Sequence, residues 1–134
     1  MEALQNRNYI NVEVVQMRKS KVVTLMNYNL TDFGNAERLH DMFGKTWKYL
    51  EEYKTWLHWD GHHWKSKNTL QACWAAAEAF QTLAEEIYKL PAPEDKWELE
   101  RRLRIMTWLQ RSKCNFRSKN ALLFLRGMLE SGQF

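Results

Sequence analysis

An Asp-Gly pair set between two tryptophan-rich runs, Thr55-Trp56-Leu57-His58-Trp59-Asp60-Gly61-His62-His63-Trp64-Lys65, constrains this chain more than any other stretch. Asp-Gly supplies the two positive-φ positions that a two-residue type I′ turn needs, so residues 55–65 are expected to form a β-hairpin. With Asp60 and Gly61 as the loop, Trp59 faces His62, His58 faces His63 and Leu57 faces Trp64. Alternation then puts Leu57, Trp59, His62 and Trp64 on one face, and Trp56, His58, His63 and Lys65 on the other. A lone two-stranded hairpin is marginal in water, so the Leu/Trp face is expected to be clamped onto flanking helices.

Those helices can be read on either side. Trp47-Lys48-Tyr49-Leu50 reads as a short strand leading through Glu51-Glu52-Tyr53-Lys54 into the hairpin. Before it, Thr31 or Asp32 can cap a helix carrying Leu39, Met42 and Phe43 as its apolar stripe, with Gly44 placed to end it. After it, Thr69 can cap a helix running to Leu90, where Pro91 and Pro93 stop it. Leu70, Cys73, Trp74, Ala77, Phe80, Leu83, Ala84 and Ile87 recur at helical period, leaving Gln71, Ala75, Glu78, Thr82, Glu85 and Lys89 as the wet side. Glu94 and Asp95 open the next helix, their charge matched to its dipole. Its expected core stripe is Leu99, Leu103 and Met106, with Arg102, Ile105 and Leu109 beside it. A last helix over 118–130 turns Leu122, Leu125 and Leu129 inward. Toward the N-terminus, the alternating Tyr9–Gln16, the basic Arg18-Lys19-Ser20-Lys21 and Val22–Met26 read as a β-hairpin in an extension over residues 1–28.

The expectation is one mainly α domain (α+β), a bundle of about four helices with a small antiparallel β-hairpin element. At 134 residues the chain suits one core better than two. No run of about 18 apolar residues is present, which excludes a membrane-spanning helix, and Met1-Glu2-Ala3-Leu4-Gln5 is no signal peptide. Cys73 and Cys114 read as two free thiols in a reducing compartment rather than a disulfide.

Catalytic patterns fail on inspection. Gly44-Lys45-Thr46 has the ending of a phosphate loop, but the pattern needs glycine at position 39, where leucine stands. His58, Asp60, His62 and His63 fall short of a converging metal set, and Asp60 is explained as a turn former. Charge is more informative. The net charge is +4, and Arg101 to Arg126 holds eight basic residues and no acid. Trp97, Arg101, Arg104, Trp108 and Arg111 recur at four, three, four and three, interleaving indoles with guanidiniums on one helix face. Lys113, Arg117 and Lys119 extend that basic surface. Arginines supply phosphate contacts and exposed indoles can stack on unpaired bases, which makes this face the candidate nucleic-acid site. The bland alternative has the tryptophans covering neighbouring elements and the arginines paired with Glu94, Glu98 and Glu100.

Two stretches together resemble a known family. Thr31-Asp32-Phe33-Gly34-Asn35-Ala36-Glu37-Arg38 followed by Trp56-Leu57-His58-Trp59-Asp60-Gly61-His62-His63-Trp64 is similar to the N-terminal helical domain of phage and plasmid primase–helicases related to the poxvirus enzyme. The family pattern falls on Thr31, Asp32, Gly34, Asn35 and Arg38 at the helix start, and on Trp56, Trp59, Asp60, Gly61 and Trp64 in the hairpin. The likeness covers roughly residues 29–130, within a helical domain expected over 29–134. It implies a non-catalytic, replication-linked domain in the cytoplasm of a bacterial or archaeal host, binding template or single-stranded DNA beside a helicase or primase module. No metal and no obligatory cofactor is expected, with ATP left open as a ligand. The alternative is a phage-encoded inhibitor or adaptor that engages a host nucleic-acid machine through protein contacts.

Overall fold

The structure, a computed structural model, describes residues 17–130. Five helices and a three-stranded antiparallel sheet follow one another as α1 (Lys19–Met26), α2 (Asp32–Phe43), β1 (Trp47–Leu50), β2 (Thr55–Trp59), β3 (Trp64–Lys67), α3 (Thr69–Tyr88), α4 (Lys96–Ser112) and α5 (Asn115–Glu130). The mainly helical class is as expected, with one more helix and one more paired strand than a four-helix bundle with a hairpin.

The extra helix is α1. Val22–Met26, read above as a strand, is helical, because Val22, Leu25 and Met26 fall at i, i+3 and i+4 and all three are buried. Burial outweighs the β preference of two adjacent valines. Tyr9–Gln16, the other half of the expected N-terminal hairpin, lies outside the described residues.

The hairpin forms with a different register. Trp59 pairs with Trp64, His58 with Lys65, Leu57 with Ser66 and Trp56 with Lys67. Within the Asp60–His63 turn only Gly61 takes a positive φ, +102°, while Asp60 accepts the backbone N–H groups of both His62 and His63 at 2.8 Å. The carboxylate replaces the second positive-φ residue, so the turn spreads over Asp60–His63 instead of closing on Asp-Gly. These bonds, with Lys65 at 3.3 Å, hold the Asp60 carboxyl far below the usual carboxylate range.

The face pressed onto the helices is also the other one. β1 pairs with β2 and sets Tyr49 opposite Trp56 and Trp47 opposite His58. Trp47, Tyr49 and Trp56 are buried together, with ring centroids 5.1 to 6.2 Å apart, and Phe43 of α2 meets Trp47 at 5.9 Å. Trp59 and Trp64 stay about a third exposed on the outer face. A third strand doubles the aromatic area available to the Trp56 side, and the sheet buries the side with more of it.

α3 runs through the middle of the bundle and touches every other helix as well as β2. Asn68, not Thr69, caps it: Asn68 Oδ1 accepts from Gln71 N at 2.8 Å while Gln71 Oε1 accepts from Asn68 N at 2.9 Å. Ala72, Ala76 and Ala79 are fully buried, which lets its neighbours approach closely. Ala75 and Thr82, expected to be wet, are also buried, whereas Leu70 and Trp74 of the expected stripe point outward. α5 begins at Asn115, earlier than expected, and buries Leu122, Leu125 and Leu129 as expected. Both cysteines are free thiols; Cys73 is buried, which pushes its thiol pKa up, and Cys114 is exposed. No helix among the described residues is long and apolar enough to cross a membrane.

Candidate nucleic-acid interface

α4 starts where sequence chemistry places it. The Asp95 side chain accepts from Glu98 N at 2.8 Å as the N-cap. Its inward side is Ile105, Leu109 and Ser112, whereas Leu99 and Leu103 are 43% and 49% exposed. The expected core stripe is therefore rotated, and the interleaved face is rotated with it.

That rotation splits the eight candidate residues. Trp97 (68% exposed), Arg104 and Arg111 stand outward at intervals of seven, on one side of the helix. Arg101 turns toward α1's end, giving Nη2 to Asn27 Oδ1 at 2.6 Å and Nη1 to Glu98 at 3.3 Å. Trp108 is half-buried and donates its indole N–H to Asn35 Oδ1 at 2.9 Å. Arg117 lies 4.5 Å over the Trp108 ring and meets Asp32 at 3.3 Å. Lys113 points to Gln81 and Gln110, on the α3 side, and Lys119 is exposed on α5. The eight do not form one surface. Between Arg104 and Arg111 a shallow groove of about 390 Å³ opens, bounded by Leu30, Leu103, Thr107 and Trp108. Leu30 and Thr107 were not candidates from the sequence, and Leu103 was assigned to the core; only the i+4 relation of Leu103 to Thr107 beside the arginines hinted at a shared wall.

The helix-start motif works from underneath. Thr31 caps α2 by accepting from Gly34 N at 2.9 Å. A Cβ on Gly34 would sit 2.0 Å from the Asn29 carbonyl oxygen, so only glycine lets the α1–α2 connection cross there. Asp32 receives Arg117 and Asn120. Arg38 is fully buried and has no carboxylate in ion-pair contact among the described residues. It donates to the carbonyls of Leu25 at 2.9 Å, Tyr28 at 2.5 Å and Asn29 at 3.0 Å, and to Asn35 Oδ1 at 3.0 Å. The Leu25 carbonyl is in the last turn of α1, where helix carbonyls lack intrahelical partners and a cation is favoured, and those of Tyr28 and Asn29 follow just beyond it. Burial lowers the guanidinium pKa to about 10, which leaves it charged at neutral pH. Asn35 completes the chain of bonds, giving its amide N–H to Ser112 Oγ at 2.8 Å while its oxygen receives Arg38 and Trp108. The motif therefore fixes α1 to α2 and sets the Trp108 indole at the groove.

A family model described as D5 N terminal like matches residues 36–130. The chain belongs to the D5 N-terminal-like family. This is the N-terminal domain of D5-type primase–helicases, a replication-associated class. Compared with curated proteins and with solved structures, the D5 N-terminal-like chain gives no match. The matched span begins at Ala36, within the helix-start motif, and takes in the whole sheet and the three helices after it. Gly44-Lys45-Thr46 of this domain follows a helix and precedes a strand, the reverse of the strand-to-helix order of a phosphate loop. Among its described residues no three of His, Cys, Asp or Glu converge as a metal site.

Proposed function

We propose that this D5 N-terminal-like domain binds template or single-stranded DNA on the outer side of α4, without chemistry of its own, and presents it to a primase or helicase module. Phosphates sit on Arg104 and Arg111, an unstacked base enters the groove between them, and Trp97 offers a further stacking plane. One observation carries the reading. Arg101, Arg102, Arg117 and Arg126 each face a carboxylate, whereas Arg104 and Arg111, on either side of the groove, have none among the described residues. Uncompensated cations beside an aromatic wall suit a polyanion whose bases are accessible.

Fluorescence anisotropy with oligothymidylate over a salt series tests this. Single-strand binding loses log affinity with log salt by about 0.7 per neutralised phosphate, so R104A/R111A is expected to lower the slope by about 1.4. An unchanged slope and affinity in the folded double variant would remove the site. The half-exposed Leu99 and Leu103 on the same helix favour a second reading, a protein partner of the adaptor type, since Trp and Arg also anchor protein interfaces. Capture of a host protein from nuclease-treated lysate, lost on Leu103→Asp, combined with no oligothymidylate binding, would select that reading.

A further inference from the structure

A groove of about 450 Å³ opens where α3 passes the start of α5, with Leu70, Trp74 and Ala77 on one wall and Asn115 and Ser118 on the other. Its volume falls in the range of about 300–1,000 Å³ that binding clefts occupy. The two helices that form it also leave large apolar side chains outward. Leu70 and Trp74, at i and i+4 on α3, are 60% and 71% exposed, and Phe116 and Leu123, at i and i+7 on α5, are 67% and 61% exposed. Single exposed apolar residues are ordinary, but four on the two helices of one cleft mark a surface built to be covered.

Charge says what covers it. From Asn115 to Leu129, α5 contains no acid. The Lys113 ammonium, in the groove wall, is met by two amide oxygens, Gln81 Oε1 at 2.6 Å and Gln110 Oε1 at 3.0 Å. Lys119 is exposed, one residue beyond Ser118, and close enough to Cys73 in the groove wall for its charge to bear on that thiol. Neither lysine has a carboxylate in ion-pair contact among the described residues. Glu78, a lining carboxylate on the α3 side, is engaged within the chain. We propose that this groove is a docking site for an acidic amphipathic helix of a partner protein, its apolar side chains seated against Leu70 and Trp74 and its carboxylates turned to Lys113 and Lys119. A furrow between two packed helices takes a third through anchors at i, i+3 or i+4 and i+7, and a tryptophan at its rim suits such an anchor. Nucleic acid is the poorer occupant, because leucine, alanine and thiol walls offer bases little to stack on and Glu78 opposes a line of phosphates. The inference stands apart from the DNA reading of α4 and uses the surface of two other helices.

The probe is a fluorescein-labelled helical peptide with leucines at i, i+3, i+4 and i+7 and glutamates between, set against a counterpart in which lysines replace the glutamates. Anisotropy with the full chain is expected to show binding of the acidic peptide and little of the lysine one. Trp74 is mostly exposed, so W74A spares the core. As loss of an interface anchor, it is expected to weaken the acidic peptide by about 30-fold. K119E is expected to weaken the acidic peptide by about 2- to 10-fold and to strengthen the lysine counterpart, a crossover that a change in folding alone would not produce. Thermal melting checks both variants, and if W74A melts early the K119E crossover decides. Failure of the full chain to bind the acidic peptide, or equal binding of both peptides with no effect of K119E, overturns the inference. Displacement of the acidic peptide by oligothymidylate would assign the groove to nucleic acid, and concentration-dependent dimerisation lost in W74A would assign it to a second copy; either result overturns it as well.

Discussion

Arg38 carries more of the architecture than its residue type suggests. Charged side chains are rarely buried in full, and a sequence pattern that looks for apolar periodicity passes over one that is. Its four bonds reach the Leu25 carbonyl in α1, the Tyr28 and Asn29 carbonyls of the connection and the Asn35 side chain on α2, so removing the guanidinium leaves several buried or part-buried oxygens unmet. R38M, similar in length but unable to donate, is expected to lose about 3–5 kcal/mol in a denaturant titration. Gly34→Ala forces a clash with the Asn29 carbonyl oxygen and is expected to cost about 3 kcal/mol by the same measurement. Nearby, the Tyr28 hydroxyl donates to Asp41 Oδ2, and that bond is the main reason its pKa is raised from 10 to about 12. A folded-state pKa above the unfolded one means the stabilisation is complete below pH 10 and fades as pH rises toward 12. Y28F is expected to flatten the fall in stability across that window, measured by thermal melting from pH 9 to 12. The cap was legible as Thr31 or Asp32; the close crossing at Gly34 and the partners of Asp32, Asn35 and Arg38 were not, because those partners lie up to 88 residues away or on the backbone of another element.

At the scale of elements, beginnings and ends were easier to read than faces. Caps and breakers act through the nearest few residues, which is why Asp95 and the two prolines mark their boundaries plainly and Asn68 displaces Thr69 by a single position. Asn68→Ala should remove the side-chain half of the capping box, the bond from Gln71 N to Asn68 Oδ1, and cost about 1 kcal/mol in chemical denaturation, with fraying confined to the first turn of α3. Which side of a helix goes inward depends on what lies opposite. α4 contains Leu99 and Leu103 on one side and Ile105 and Leu109 on another, and α3 selects the second pair. The sheet shows the same dependence: adding β1 reversed which tryptophans are covered. α1 packs through Val22, Leu25 and Met26, and the Arg38 bonds fasten its C-terminal end to α2. Hydrogen exchange of R38M should therefore rise first in residues 19–26, well before α3.

For the molecule as a whole, one aromatic and aliphatic core ties helices to sheet, and α5 closes it: Arg126 lies 4.1 Å over the Tyr49 ring and meets Glu51 at 3.0 Å. Leu83, fully buried in α3 at the centre of that core, offers a direct measure of its cooperativity. Leu83→Ala is expected to lower stability by about 2–5 kcal/mol, with far-ultraviolet circular dichroism and tryptophan fluorescence falling in one coincident transition. The two thiols divide along the same inside–outside line. Cys73 is enclosed and held in its protonated form, while Cys114 sits at the α4–α5 corner next to Lys113. A maleimide dye at neutral pH should consequently attach once per chain, so the unaltered polypeptide can act as its own optical sensor, reporting ligand arrival without a mutation.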